Sequence, residues 1–148
     1  MSNPAFAKMI FVNLPVRDLP ASIAFYEAVG AVRNDDFADD SSQMISFSDT
    51  IHAMLLTHER FSGFTSRPIS NAQDSVQMGL ALSEISREAV DDVVDRALAA
   101  GGTEPNPPQD HGFMYGRGFA DLDGHMWDSF WMDTQAAVAA NKGEHTAA

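Results

Sequence analysis

One arrangement of residues occurs twice in this chain, and it limits the fold more than any other feature. Over residues 9–16 the apolar side chains suggest a strand, and Asp18-Leu19-Pro20 then has the form of a helix start, with Pro near the first helical position. In the stretch 21–29, Ile23, Tyr26 and Val29 step by three, and Gly30 stands where a helix is expected to stop. Short strand candidates follow at 31–33, 43–47 and 51–57, separated by polar turns at 35–42 and 48–50. The same order then restarts. Residues 76–82 suggest a strand, Ser86 is a cap for a helix, and Val90, Val93, Val94, Ala97 and Leu98 fall on one helical stripe that ends at Gly101-Gly102. After a Pro-rich turn at 105–108, residues 113–119 and 125–132 supply strands joined by an Asp123-Gly124 turn.

The displacement between the two copies is about seventy residues, a self-similarity that implies a repeated supersecondary unit. A strand-helix-strands unit alone leaves one sheet face bare. Two such units can bury those faces against each other and leave a cleft suited to a ligand. The expected class is therefore α+β. The divisions are an N-terminal extension at 1–8, a first module at 9–57, a connector at 58–75 without sustained periodicity, a second module at 76–133, and an Ala-rich tail at 134–148 that forms a short helix or a frayed end.

Composition removes several classes of function. The chain has 148 residues, 45% of them hydrophobic, enough for one domain-sized core. Nine Lys plus Arg against 21 Asp plus Glu give a net charge of −12, which repels phosphate backbones, so no nucleic-acid partner is expected. Acidic clusters such as Asp35-Asp36 with Asp39-Asp40, and Asp91-Asp92 with Asp95, fit solvated faces. With no cysteine there is neither a disulfide nor a thiolate site, which fits a reducing interior. The first 16 residues are broken by Asn3, Lys8, Asn13 and Pro15, unlike an export signal, and no apolar run approaches membrane-spanning length. A cytoplasmic location without membrane contact is expected. Gly116-Arg117-Gly118 has Asp121 where a dinucleotide fingerprint needs its third glycine, and there is no phosphate-binding lysine loop and no G-x-S-x-G elbow.

The phrase Asn13-Leu14-Pro15-Val16-Arg17-Asp18-Leu19, running into Ser22-Ile23-Ala24-Phe25-Tyr26 and Gly30, resembles the opening of the vicinal oxygen chelate superfamily. That superfamily covers glyoxalases, bleomycin-resistance proteins and extradiol dioxygenases. Phe119-Ala120-Asp121-Leu122-Asp123-Gly124-His125-Met126-Trp127-Asp128 resembles its closing hairpin, usually Asp-Pro-Asp-Gly-Asn followed by an acidic residue, with Leu122 and His125 departing from the pattern. The likeness runs from residue 9 to 133. It implies two βαβββ modules pairing into a cupped, partly open β-barrel with helices outside, usually in a homodimer, and a divalent metal on the floor of the cup. The ligand positions implied by the resemblance fall on Phe11, Met54, Gln77 and Asp128.

Phe offers no lone pair, and Met sulfur suits soft metals rather than Mg, Mn, Fe or Zn. Side chains two apart on a strand share a face, so His52 accompanies Met54 and Asn13 accompanies Phe11. His52 with Gln77 and Asp128 could replace the lost set, although Gln is a feeble ligand; the plainer reading of His52 is a half-buried polar residue on a strand. His125 and Asp128, three apart, point to opposite faces and cannot share a metal, and His125 is expected in the turn facing water. His111, Tyr115 and Arg117 are in phase if their stretch is extended. Arg117 beside a phenol suits an anionic or carbonyl substrate, or else pairs with acids such as Asp121 or Asp123.

Two functions follow. One is a binding protein holding a flat or apolar small molecule against Phe11, Asn13, Met54, Tyr115 and Arg117, with no cofactor. The other is a lyase or isomerase of lactoylglutathione-lyase type, acting on a carbonyl or thiol-adduct substrate, with one divalent ion (Zn, Ni, Mn, Mg or Fe). In it, Asp128 serves as ligand or base and His52 and Gln77 as ligands. A dioxygenase is a weaker variant, because only one His is well placed.

Overall fold

A computed structural model of the chain describes residues 6–146, and side chains up to residue 143. The remainder of the N-terminal extension and the last two residues of the tail lie outside the described residues. The architecture is α+β, and the βαβββ order occurs twice, each copy forming its own open four-stranded sheet.

In the first unit, β1 (Ile10–Val16) leads into α1 (Leu19–Val29), which carries the chain across the sheet to β2 (Val32–Asp39). The chain returns through β3 (Ser42–Ser46) and β4 (Ile51–Thr57), giving the strand order β1-β4-β3-β2 with β1 parallel to β4. The helix starts where the sequence places it. Asp18 is the N-cap and accepts from the Ala21 amide at 3.1 Å, and Pro20 lies in the first turn. It ends because Gly30 adopts φ 114°, a left-handed conformation that lets its N–H return to the last helical carbonyls. Leu19, Ser22, Phe25, Tyr26 and Val29 are buried, whereas Ile23 of the anticipated stripe is only half-buried. By strand register, Leu14, Ile45, Ala53 and Leu55 share one face of the sheet, and each is at most 2% exposed. Alternation along β1, β3 and β4 thus gives one face to the apolar core, each large side chain contributing about 1.5–3 kcal/mol on burial.

Strand β2 corrects the expected polar turn at 35–42. Its pairing with β3 shifts register between Asn34 and Ala38, and the chain stays extended to Asp39. As an edge strand it can point Asp35, Asp36 and Asp39 at solvent, so acidity here blocks further strand pairing rather than marking a loop. The tight turn that follows is held by Asp39, whose carboxylate accepts from the Ser41 amide and from the Ser41 and Ser42 hydroxyls. These bonds, with Arg60 nearby, hold its pKa down at about 2. A five-residue helix α2 (His58–Ser62) opens the anticipated connector.

The second unit contains β5 (Gly79–Ser83), α3 (Arg87–Ala99), β6 (Gln109–Asp110), β7 (Met114–Ala120) and β8 (Met126–Met132), ordered β5-β8-β7-β6 with β5 parallel to β8. Ser86 caps α3 through the Ala89 amide at 3.1 Å, and Val90, Val94 and Ala97 are fully buried. Strand β5 begins three residues later than expected, and β6 was not anticipated: two residues are too few to show a period. The tail is helical as α4 (Thr134–Thr146), its first turn capped by the Asp133 carboxylate at the Ala136 amide.

The turn Leu122–His125 groups with the first unit. There Asp123, 6% exposed, accepts from the Arg17 amide at 2.9 Å, and His125 Nε2 lies 2.8 Å from the Pro15 carbonyl. His125 therefore does not face water as expected; it ties this turn to β1. No helix among the described residues is long and apolar enough to cross a membrane.

Candidate functional site

Opposite its apolar face, the first sheet presents Phe11 and Asn13 of β1, His52 and Met54 of β4, and Met44 and Ser46 of β3. Register pairs Phe11 with His52, Asn13 with Met54, Met44 with Met54, and Ser46 with His52. The period of two anticipated from sequence thus brings Phe11, Asn13, His52 and Met54 onto one face, and sheet pairing adds Met44 and Ser46.

The rings of Phe11 and His52 stack with centroids 4.9 Å apart and planes 23° from parallel. His52 is more deeply set than a half-buried strand residue, at 5% exposed, while Phe11 is 42% exposed. One ring nitrogen, Nδ1, is 2.7 Å from Ser46 Oγ. The other, Nε2, is buried and has no hydrogen-bond partner. Buried polar atoms are nearly always paired, and leaving one unpaired costs about 1–3 kcal/mol, so this nitrogen stands out. Ser46 could have been found from the short turn at 48–50, which sets it opposite His52, but only by fixing the hairpin register first.

In the second unit Asp128 projects from β8 as an exposed carboxylate, flanked across the sheet by Ala81 of β5 and Gly118 of β7. Gly118 leaves room for the carboxylate as it is placed: a Cβ there would sit 2.8 Å from Asp128 Oδ1 and 3.4 Å from the Trp127 carbonyl oxygen, so Asp128 would have to turn aside. Gln77 is exposed and precedes β5 rather than lying on it. If Met54 and Asp128 are taken as equivalent, the register partner of the residue two before each is Phe11 in the first unit and Gly79 in the second. The strand position matching Phe11 is thus Gly79, and Gln77 falls one pleat upstream of it.

Tyr115 and Arg117 take the opposite side of their sheet from Asp128, since β8 pairs Gly118 with Asp128. They meet α3 and its neighbourhood instead. The Tyr115 hydroxyl donates to Asp91 at 2.6 Å. Arg117 donates through Nε and Nη2 to both oxygens of Glu104 at 2.9 and 3.0 Å, and through Nη1 to Asp91 at 3.0 Å and Asp95 at 3.1 Å. Its bidentate bond to Glu104 raises the guanidinium pKa and lowers that of Glu104. The bond from Tyr115, and then Arg117, lower Asp91, and the same bond raises the Tyr115 phenol. With all three guanidinium nitrogens engaged, Arg117 clamps helix to sheet. The paired alternative is the observed one, but its acids are Asp91, Asp95 and Glu104 rather than Asp121 or Asp123, and the expected grip on a substrate finds no support in this geometry. His111 lies outside the strand, exposed and stacked on Phe113 at 6.2 Å.

The positions that would hold a metal do not fit a hard divalent ion. Phe11 has no donor atom, Met54 offers a soft thioether, Gln77 lies off the strand, and Asp128 alone carries charge. Among the described residues no three His, Asp or Glu side chains gather in a way that could hold a metal ion.

A family model, that of the Glyoxalase/Bleomycin resistance protein/Dioxygenase superfamily, matches residues 8–128. The chain belongs to this superfamily. It is the vicinal oxygen chelate superfamily that the two sequence phrases resemble. No curated protein matches the chain. Among solved structures, a hypothetical protein, SA1046 from S. aureus, is 25% identical with a TM-score of 0.72, covering 85% of this chain and 94% of that one. A glyoxalase/bleomycin resistance protein/dioxygenase family enzyme from Burkholderia phytofirmans is 21% identical with a TM-score of 0.70, covering 85% and 99%. TnmS3, an antibiotic binding protein from Streptomyces, is 17% identical with a TM-score of 0.62, covering 88% and 100%. These likenesses match the fold of the superfamily; the chemistry of this member rests on its own side chains.

Proposed function

We propose that this member of the superfamily binds a flat, largely apolar organic molecule without a catalytic metal, and that the sheet face carrying Phe11, Asn13, His52 and Met54 is the surface that receives it. The observation that carries this reading is the Phe11 ring, stacked on His52, at a position where one of the superfamily's metal ligands is expected. Aromatic and thioether groups favour planar, polarisable ligands and make a poor cradle for a hard cation. The Streptomyces neighbour TnmS3, an antibiotic binding protein of the same fold, supports the reading.

The competing reading is a metal-dependent lyase or isomerase, and the observation in its favour is the exposed Asp128 carboxylate with Gly118 making room for it. It lacks partners that suit the metal. A homodimer also fits, since β1 is an edge strand and its first residue Ile10, with Met9 before it, is more than half exposed. Sedimentation of the full chain measures that directly.

Binding of uncharged planar aromatics, measured by calorimetry before and after EDTA treatment, tests the main proposal. Saturable binding that EDTA leaves unchanged is expected. Binding or turnover that disappears with EDTA and returns with a divalent ion, and that Asp128→Ala abolishes, would establish the lyase reading instead.

A further inference from the structure

We infer that the first unit holds a second small-molecule site, a cavity between α1 and the bulged strand β2 that takes a small organic cation, a protonated amine on an apolar body, with Asp40 as its counter-ion. The cavity lies on the helix side of the sheet, opposite the face proposed above, so its failure leaves that proposal untouched.

The cavity exists because β2 bulges. Its register with β3 runs evenly from Val32 to Asn34 and resumes only at Ala38, so residues 35–37 leave the ladder while α1 stays packed on the sheet. The space between them is about 540 Å³, within the roughly 300–1,000 Å³ of small-molecule sites. One wall is α1, through Leu19, Pro20, Ile23 and Ala24, which explains why Ile23 is only half-buried. The other wall is β2 and the turn after it, through Asp35, Ala38, Asp39 and Asp40. Between them lies Gln43 of β3, 2% exposed, which pairs with Leu55 and so points to the helix side.

The cavity and its apolar wall define the site, and the polar atoms around it select the ligand. Its side-chain donors are already engaged. Arg33 turns to Asp35 at 3.2 Å and to Glu27 at 3.8 Å, and Gln43 Nε2 donates to the Met44 and Asn34 carbonyls at 3.0 and 3.3 Å and to Asp35 at 3.3 Å. Acceptors remain. Those bonds fix the Gln43 amide, and its Oε1 accepts only from Arg33 at 3.4 Å, long for an N–H···O bond. Asp39 is held by Ser41, Ser42 and Arg60, whereas the Asp40 carboxylate has no ion pair or hydrogen bond among the described residues. Glu27, Asp35, Asp39 and Asp40 together outnumber the one guanidinium in the lining, which excludes an anion. An ammonium brings three N–H donors, a positive charge and no acceptor, the complement of this inventory, and Leu19, Pro20, Ile23 and Ala24 take the apolar body.

The test titrates 2-phenylethylamine, its uncharged analogue 2-phenylethanol and the anion 3-phenylpropionate into the full 15N-labelled chain at pH 7. The amine should bind saturably, shifting the Gln43 side-chain amide and the backbone amides of Ala24 and Ala38, about fivefold more tightly than the alcohol, the size of one exposed ion pair. The anion should shift none of them. In Asp40→Asn the preference for the amine should fall to about twofold or less while alcohol binding remains. Ala24→Trp, a change at an exposed position of α1 that fills the cavity, should lose both probes. Shifts confined to residues 11, 13, 52 and 54 would overturn this site and leave the proposed sheet face standing. Equal binding of amine and alcohol, or binding of the anion, would overturn the ligand class. A preference that survives Asp40→Asn would overturn Asp40 as the counter-ion, and binding that survives Ala24→Trp would overturn the cavity.

Discussion

The two units share a plan and differ in where they place their polar chemistry. Each runs βαβββ, with its first and last strands parallel at one side of the sheet. On the face away from the helix, the first unit has large soft groups, Phe11, Met44, His52 and Met54. At the matching register the second has Gly79, Gly118, Met126 and Asp128. On the helix side the difference is an added cluster of charge. Both units have an apolar layer there, Leu14, Ile45 and Leu55 with α1 in the first and Phe119 and Trp127 with Val90, Val94 and Ala97 of α3 in the second, but only the second adds a charged clamp centred on Arg117. One backbone plan can thus be filled either way, because register fixes which residues meet but not what they are.

The sharpest way to break this contrast is Arg117→Met. It removes the cation that Glu104, Asp91 and Asp95 share, and should destabilise the fold by about 2 kcal/mol in urea denaturation. That is less than for a fully buried network, because Asp91 and Asp95 remain substantially exposed. An unchanged midpoint would mean that the clamp is ornamental and the units are alike in what stabilises them.

The same cluster predicts a pH dependence. Asp91 and Glu104 have pKa values lowered from 3.8 and 4.5, by the Tyr115 bond and the Arg117 bond respectively. Groups depressed on folding contribute stability that is present above their unfolded pKa and is lost as pH falls through the folded value. Stability should therefore decline from about pH 4.5 downward, and the decline should be shallower in Arg117→Met. Tyr115, raised above 10.0 by its bond to Asp91, contributes in the other sense: its share is present below pH 10 and fades as pH rises through the folded value. Melting temperatures across both limbs measure each effect.

Helix caps should show no contrast at all. Asp18→Ala and Ser86→Ala each remove one side-chain acceptor from an amide in the first turn, and each should cost about 1 kcal/mol. Smallest in stability is Gly118→Ala, at about 1 kcal/mol or less because the contacted Asp128 carboxylate is exposed and can rotate away. Its readout is the 13C carboxyl resonance of Asp128, which should shift if Gly118 sets the position of that group and stay put if it does not.

Local signals made the helices legible: Asp18 with Pro20, Gly30 and Ser86 each act within one turn of the chain, so their effect can be read without knowing the fold. Strand β2 was not legible, because Asp35, Asp36 and Asp39 look like a turn until it is known that the strand is an edge. Likewise the alternation of β1 and β4 put Phe11 with Asn13 and His52 with Met54, but the stacking of one pair on the other depends on which strands are neighbours. Ser46 and Gly118 matter only through hairpin register. For Arg117 the sequence leaves pairing and substrate contact open and points to the wrong acids, because those it meets come from α3 and from Glu104, between 13 and 26 residues away, rather than from the acidic turn close by.

Metal analysis of the full chain, purified without chelator and then titrated with Zn, Mn and Fe(II), tests the central claim most directly. The account predicts no ion at stoichiometric level before titration and no saturable uptake during it, with aromatic binding unaffected throughout. One tightly held divalent ion per chain, lost in Asp128→Ala, would contradict it.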